Sequence, residues 1–139
     1  MSNSVAATPH SNHVRGELAA ASAITPGHLV EIASGKYQPA STALAKSAKM
    51  FALENISIAG SIDTPYVADD TTFVGSFPAG ERVRALLAIG ETIVDGTLLA
   101  SAGDGTLIAT GATADNAVAV SRSEFTTTTV VTRITAELI

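Results

Sequence analysis

The stretch that decides the fold is residues 97–110, which reads TLLASAGDGTLIAT. Two runs rich in apolar and β-branched residues, Thr97–Ser101 and Thr106–Thr110, flank the tripeptide Gly103-Asp104-Gly105. Glycine tolerates the left-handed backbone that tight turns require, so such a tripeptide between two apolar runs indicates a β-hairpin. We therefore predict two antiparallel strands joined at Gly103–Gly105.

Glycine and proline divide the neighbouring sequence into similar short pieces. Arg82–Leu86 alternates polar and apolar residues, as a half-buried strand does. Short strands with a break after each one are typical of a β-sandwich or barrel. We predict an all-β fold of about seven to nine strands, arranged as a sandwich or a barrel. The breaks fall at Gly60, Pro65, Gly75, Pro78, Gly80, Gly90, Gly96, Gly103, Gly105 and Gly111.

The C-terminal segment, Thr126–Ile139, alternates over its whole length. This pattern predicts one long final strand, and it favours strand propensity as the role of the four threonines at 126–129. One face carries Val130, Thr132, Ile134, Ala136 and Leu138, and the other carries Arg133, Thr135 and Glu137.

The first half of the chain is less regular. We expect His28–Ile32 to be the first strand and Ala33–Pro39 to be a turn region around Gly35. Ala43–Lys49 is compatible with a helical turn, whereas Met50–Leu53 indicates a buried strand.

Residues 1–23 are predicted to be a flexible N-terminal arm, and residues 24–139 a single β domain. The segment is polar at its start and continues into a short Ala-rich patch that could form a helical turn. Such a segment cannot build a core of its own. Two interpretations of this segment are open: it is a frayed terminus, or it is an arm that becomes ordered when it binds a partner.

Composition limits the classes of partner. The net charge is −5 and the eight Lys and Arg residues are dispersed, whereas binding to phosphate backbones requires clustered cations, so we expect no nucleic-acid partner. No apolar run approaches the roughly 20 residues of a membrane-spanning helix, and the first residues do not resemble a secretory signal, so we expect no membrane partner. The chain contains no cysteine, which excludes disulfides and thiolate chemistry.

The residues that could bind a metal or catalyse a reaction are sparse. A protein metal site needs three or four ligands held in place, and histidines on a polar terminus or at a turn lack that framework. Aspartates in turns commonly bond to their own backbone, and we interpret those of this chain in that way. We therefore predict no catalytic, cofactor-binding or metal-binding residues. The candidates considered are His10, His13, His28, Asp63, Asp69, Asp70 and Asp104.

Nucleophile and phosphate motifs are equally weak. Ser101 and Ser123 lack the Gly-x-Ser-x-Gly context of a nucleophile elbow, and the glycine-rich turn at 103–105 lacks the lysine of a phosphate loop. Arg82 and Arg84 could pair with an acidic partner, although such a pair is more often a solvated strand face. We predict that the protein is not an enzyme.

The order of motifs resembles that of the head decoration, or capsid cement, proteins of tailed bacteriophages. The resemblance covers about residues 50–110 and lies in the order and spacing of the motifs, since each one alone is unspecific. The motifs are MFALEN at 50–55, IDTPY at 62–66, the acidic corner Asp69-Asp70, PAGERVRALLA at 78–88, GETIVDGTLL at 90–99 and SAGDGTL at 101–107.

The resemblance implies an all-β fold with a compact β-barrel or tulip-like domain. It also implies a structural protein of the virion, made in the host cytoplasm and bound to the outer capsid surface. Its partners would be the major capsid protein, whose subunits it would bridge, and further copies of itself, as a trimer first and a dimer second. No catalytic residue or cofactor is implied.

Three other readings of the sequence are open. The chain could be another virion part, such as a tail or spike subunit. It could be a small β-barrel module that binds a small ligand, which would need an aromatic pocket, although aromatic residues form only 4% of the chain. It could also be a barrel of the deoxyuridine triphosphatase type, for which Tyr66 near Asp63 and Asp69 is the one hint.

Overall fold

The computed structural model describes residues 4–139, and this part of the chain is built from ten strands and one 3₁₀ turn at Ile56–Ile58. The count is one above the predicted range. The strands are β1 (Val14–Ala19), β2 (Val30–Ala33), β3 (Lys36–Pro39), β4 (Met50–Ala52), β5 (Thr71–Ser76), β6 (Arg82–Leu87), β7 (Leu98–Ser101), β8 (Leu107–Ile108), β9 (Ala119–Ser121) and β10 (Thr132–Leu138).

The second half of the chain forms a closed barrel in the order β10-β6-β8-β7-β9. β7 and β8 pair antiparallel, with Ser101 opposite Leu107, and Gly103 and Gly105 in their connection both have positive φ. The predicted hairpin, the all-β class and the barrel are therefore confirmed.

The first half of the chain adds a three-stranded sheet, β1-β5-β4, and the hairpin β2-β3. The buried strand predicted at Met50–Leu53 is present as β4. The turn region predicted at Ala33–Pro39 is wrong for its second part, because Lys36–Pro39 is β3. Ser34 and Gly35 both have positive φ and complete the reversal in two residues, which leaves the following residues free to pair with β2.

Residues 4–23 pack on the domain, contrary to the expectation that this segment stands apart from the core. Val5 is fully buried, and Ala6 bridges Val83 of β6, with Ala7 N–H donating to the Arg82 carbonyl at 2.9 Å. The barrel pairs β6 with β8 only at Leu87, so the other end of that edge is open to the segment. Residues 1–3, which belong to the predicted arm, lie outside the described residues.

The patch at 18–23 does not form the helical turn that its alanines allow, because β1 runs to Ala19, Ala20 continues the pairing with β5, and residues 21–22 form a bend. A helical turn is likewise absent at Ala43–Lys49, where a tight turn at Ala43–Leu44 is followed by irregular backbone.

The long final strand is shorter than predicted, because β10 begins only at Thr132. Thr127 has a φ of 43°, and the Thr128 hydroxyl donates to the Ala88 carbonyl at 2.8 Å, so the chain leaves the strand path before this point. Within β10 the predicted faces are correct, with Ile134, Ala136 and Leu138 buried.

One hydrophobic core joins the barrel to the first half of the chain. It is filled mainly by aliphatic side chains from both halves. The largest fully buried ones are Tyr66, Phe51, Ile24, Leu29, Leu87, Ile93, Leu99, Leu107, Leu138, Val5, Val30 and Val74.

Candidate interaction surface

Asp70 and Asp104 stabilise the loops in which they lie, whereas Asp63 and Asp69 pair with cationic side chains of other elements, Arg133 and Lys36. The Asp70 carboxylate accepts from the Val67 N–H at 3.0 Å, and that of Asp104 accepts from the Thr106 N–H at 3.0 Å. The hydrogen bond from the Thr106 hydroxyl lowers the pKa of Asp104. A hydrogen bond from Lys36 at 2.8 Å likewise lowers the pKa of Asp69.

The histidines are separated from one another. His10 is exposed, and the His13 ring packs on Phe77 with ring centroids 4.9 Å apart. His28 is partly buried, and its Nδ1 accepts from the Thr25 N–H at 3.1 Å. Burial lowers the pKa of His28, and the nearby carboxylate of Asp104 partly opposes that shift.

In residues 4–139 no three His, Asp or Glu side chains come together in a way that could hold a metal ion. The expected absence of a metal, a cofactor and catalysis remains a prediction. The same part of the chain has no helix long and apolar enough to cross a membrane.

Tyr66, the one hint of a nucleotide-hydrolysing barrel, is a core residue. It is fully buried, its hydroxyl donates to the Leu53 carbonyl at 2.7 Å, and it accepts from the Phe73 N–H at 3.3 Å. Burial raises the pKa of Tyr66 to about 12. The side chain therefore fixes the start of β5 and has no path to a substrate.

The arginines of β6 bond within the chain. Arg82 pairs with Glu137 at 3.1 Å, and Arg84 donates to the Ser4 carbonyl at 2.7 Å. Arg84 also borders an open cleft of about 470 Å³ beneath the N-terminal segment, which is lined by Thr8, His10 and His13 among others.

Several exposed apolar side chains lie at one end of the barrel. Two loops there, residues 88–97 and 123–131, extend the β6–β10 pair, and we call them the apolar ribbon. They carry five of the twelve large hydrophobic residues that are exposed in the described chain. Single exposed hydrophobic residues need no explanation, but a cluster indicates a contact surface. The five are Ile89, Val94, Phe125, Val130 and Val131.

Backbone hydrogen bonds join the two loops of the apolar ribbon. Ile93 and Phe125 exchange N–H···O bonds of 2.9 and 3.0 Å, and Gly90 N–H donates to the Thr128 carbonyl at 2.7 Å. The exposed side chains are therefore carried on an ordered framework.

Glu91 anchors this framework from below. It is buried, and its carboxylate accepts from the N–H groups of Ala109 and Thr110 at 2.7 and 3.0 Å. Hydrogen bonds of this kind to a charged acceptor are stronger than neutral ones, so the apolar ribbon is held against the β8 end of the barrel.

The sequence does not indicate the apolar ribbon, because the alternation at 126–131 predicts a continuous strand there. One sequence signal for an exposed apolar surface is nevertheless present, because Val130 and Val131 are consecutive. In a half-buried strand one of these two valines would have to face solvent.

No protein-family model and no curated protein matches this chain. Among solved structures it is similar to the head fiber gp8.5 N base in bacteriophage phi29, with a TM-score of 0.61 and 15% sequence identity. The match covers 91% of this chain and 94% of that chain. At this identity the similarity demonstrates a shared fold, which extends over nearly the full length of both chains.

Proposed function

We propose that this chain is a structural protein of a bacteriophage virion that binds the outer surface of the head. The observation that carries the proposal is the full-length similarity of fold to the base of a phage head fiber. The order of motifs between residues 50 and 110, which resembles that of capsid cement proteins, supports it independently.

The proposed role is that of a decoration protein, which binds the lattice of the major capsid protein and stabilises the shell. A protein that binds only the assembled shell shifts the equilibrium toward assembly, and many copies multiply a modest affinity per site. Such a role requires a stable surface and no reaction centre. We accordingly expect no catalytic activity.

The apolar ribbon is the surface that we assign to the capsid contact. Its β-branched and aromatic side chains are exposed on a hydrogen-bonded framework, so binding costs little additional ordering of the chain. The two loops contain three carboxylates: Glu91 is buried, Asp95 pairs with Arg122 at 3.2 Å, and Glu124 is exposed beside Phe125.

The test measures occupancy on purified shells of the major capsid protein for the variants Ile89→Asp and Ile58→Asp. The two isoleucines are matched in exposure, at 61% and 64%, but Ile58 lies on the 3₁₀ turn. Ile89→Asp should reduce occupancy at least tenfold, since burying a carboxylate at a contact costs more than about 1.4 kcal/mol. Ile58→Asp should bind like the wild type.

Equal loss of occupancy in both variants, or in neither, would contradict the assignment of the apolar ribbon. Failure of the wild-type protein to bind shells at all would contradict the decoration role itself.

A second candidate role is the base of a fiber or spike on the head. The specific observation in its favour is that the similar structure is itself a fiber base. Both roles place the fold on the head, and they differ in whether a further protein extends outward from it. Images of the particle distinguish them, since a decoration protein gives a low knob and a fiber base gives a projecting rod.

A further inference from the structure

The first strand of the three-stranded sheet has one paired edge and one open edge. β1 pairs with β5 from Val14 opposite Ser76 onward, and the Ala20 N–H continues this pairing by donating to the Asp70 carbonyl at 2.8 Å. In an antiparallel pair alternate residues bond to the partner, so the even-numbered residues of β1 face β5 and the odd-numbered ones face away.

The outward groups are covered at only one end of β1. The first odd-numbered residue after β1 is Ala21, and its N–H donates to the Tyr37 carbonyl at 2.8 Å. β3 therefore covers the outward edge beyond Ala19. Within residues 4–139 the outward N–H and C=O groups of Arg15 and Glu17 have no hydrogen-bond partner. An open edge of this kind is a template for a further strand.

The side chains of this edge carry a self-complementary pattern. Arg15 and Glu17 share one face of β1, 3.7 Å apart and each about half exposed. Val14, Gly16 and Leu18 share the other face, and Val14 is 71% exposed. Opposite charges therefore lie two residues apart on either side of a glycine.

We propose that the open edge of β1 pairs with the same edge of a second copy of this chain, antiparallel, about a two-fold axis at Gly16. In that register Arg15 faces Glu17 of the second copy, and Glu17 faces its Arg15. Both are outward-facing residues, so each pair exchanges two N–H···O bonds. On the other face Val14 meets Leu18, and the two Gly16 residues face each other at the axis.

The neighbouring registers are unfavourable. A shift by one residue in each chain places Glu17 opposite Glu17 or Arg15 opposite Arg15, and like charges directly opposite each other destabilise a strand pair. Charge therefore selects both the partner and the register.

The paired stretch is only about five residues long, because β3 covers the edge beyond it, so the dimer is weak. This surface accommodates two copies and supports a dimer over the trimer implied by the resemblance.

The inference goes beyond the proposed function, and its test uses the protein in solution without shells. Sedimentation velocity is measured from micromolar to millimolar concentration for the variants Arg15→Glu and Glu17→Arg, alone and mixed. Each variant alone places like charges opposite each other and should weaken association at least tenfold. The equimolar mixture restores opposite charges in both pairs and should associate like the wild type.

The matched controls are Lys46→Glu and Asp115→Arg, which make the same changes of charge at exposed positions outside β1 and outside the apolar ribbon. Neither should alter association. Unchanged association in either edge variant, no recovery in the mixture, a strictly monomeric wild type or a wild-type trimer would overturn the proposal. Circular dichroism of each variant verifies the fold, and recovery in the mixture also excludes misfolding as the cause of the loss.

Discussion

At the residue scale, Arg133 connects the barrel to the first half of the chain. Its side chain is only 20% exposed and donates to three backbone carbonyls, those of Pro26 at 2.9 Å, Arg84 at 3.1 Å and Ile62 at 3.1 Å. Gly27 leaves the space that this requires, because a Cβ there would collide with the guanidinium and lie 2.7 Å from the Arg84 carbonyl oxygen. Burial lowers the pKa of Arg133, and the carboxylate of Asp63 partly opposes that shift.

Arg133→Met retains most of the apolar stem but leaves those carbonyls without their donor. We expect a loss of about 1–3 kcal/mol in the free energy of unfolding, because buried acceptors without a partner are costly. Urea denaturation measures the loss. Arg122→Met is the control, since Arg122 pairs with the exposed Asp95 and with Glu137 and should cost less than about 1 kcal/mol. An equal loss in both variants would show that Arg133 acts only as a surface ion pair.

We expect His28 to make the stability of the protein depend on pH. Its folded-state pKa lies below the ordinary value of 6.5, so the unfolded chain binds this proton more readily than the folded one. The stabilisation is complete above pH 6.5 and is lost as the pH falls through this value toward the folded-state pKa.

We therefore expect the free energy of unfolding to fall between about pH 7 and pH 5, before most carboxylates titrate. His28→Gln should remove this part of the pH dependence, and His10→Gln, at an exposed histidine, should retain it. Denaturant titrations at the two pH values make the comparison. A pH dependence that is the same in all three proteins would assign the effect to other groups.

At the element scale, the N-terminal segment is a structural part of the domain. It lies along the open part of β6, then enters the other sheet as β1, and so it links the barrel to the β1-β5-β4 sheet. Removal of residues 1–22 would expose the edge of β5 and delete the buried Val5. This truncation should therefore lower the melting temperature, contrary to what a free arm would do.

Two point variants test this without truncation. Val5→Ala removes fully buried methyl groups and should cost about 1–3 kcal/mol, whereas Val14→Ala, at a residue that is 71% exposed, should change stability by less than about 0.5 kcal/mol. Differential scanning calorimetry measures both melting temperatures. If Val5→Ala melted like the wild type, the packing of the segment on β6 would not contribute to stability.

How far the sequence predicted these elements depended on the range of the contacts. The β7–β8 hairpin and β4 were predictable, because turn residues and apolar runs specify them within a few positions. The pairing of Ala6 with Val83 was not, since it joins distant positions and the segment is too polar to indicate burial. The barrel class was predictable from the breaks, but the apolar ribbon depends on hydrogen bonds such as those between Ile93 and Phe125, which no local pattern encodes.

At the scale of the whole molecule, the residues that stabilise the fold and the surfaces proposed to contact partners lie in different parts of the structure. The core and buried anchors such as Arg133 and Glu91 hold the two halves together, and the apolar ribbon projects from one end of the barrel. The open edge of β1 belongs to the other sheet. A molecule built in this way can bind a shell through one surface and a second copy through another.

The measurement that tests the central proposal most directly is an electron cryo-microscopy reconstruction of empty shells of the major capsid protein incubated with this protein. We expect additional density on the outer surface that fits the 14.0 kDa domain, with Ile89, Phe125 and Val130 of the apolar ribbon facing the shell. Shells without added density at saturating protein would contradict the capsid-binding role. Density in which the apolar ribbon points away from the shell would contradict the assigned surface.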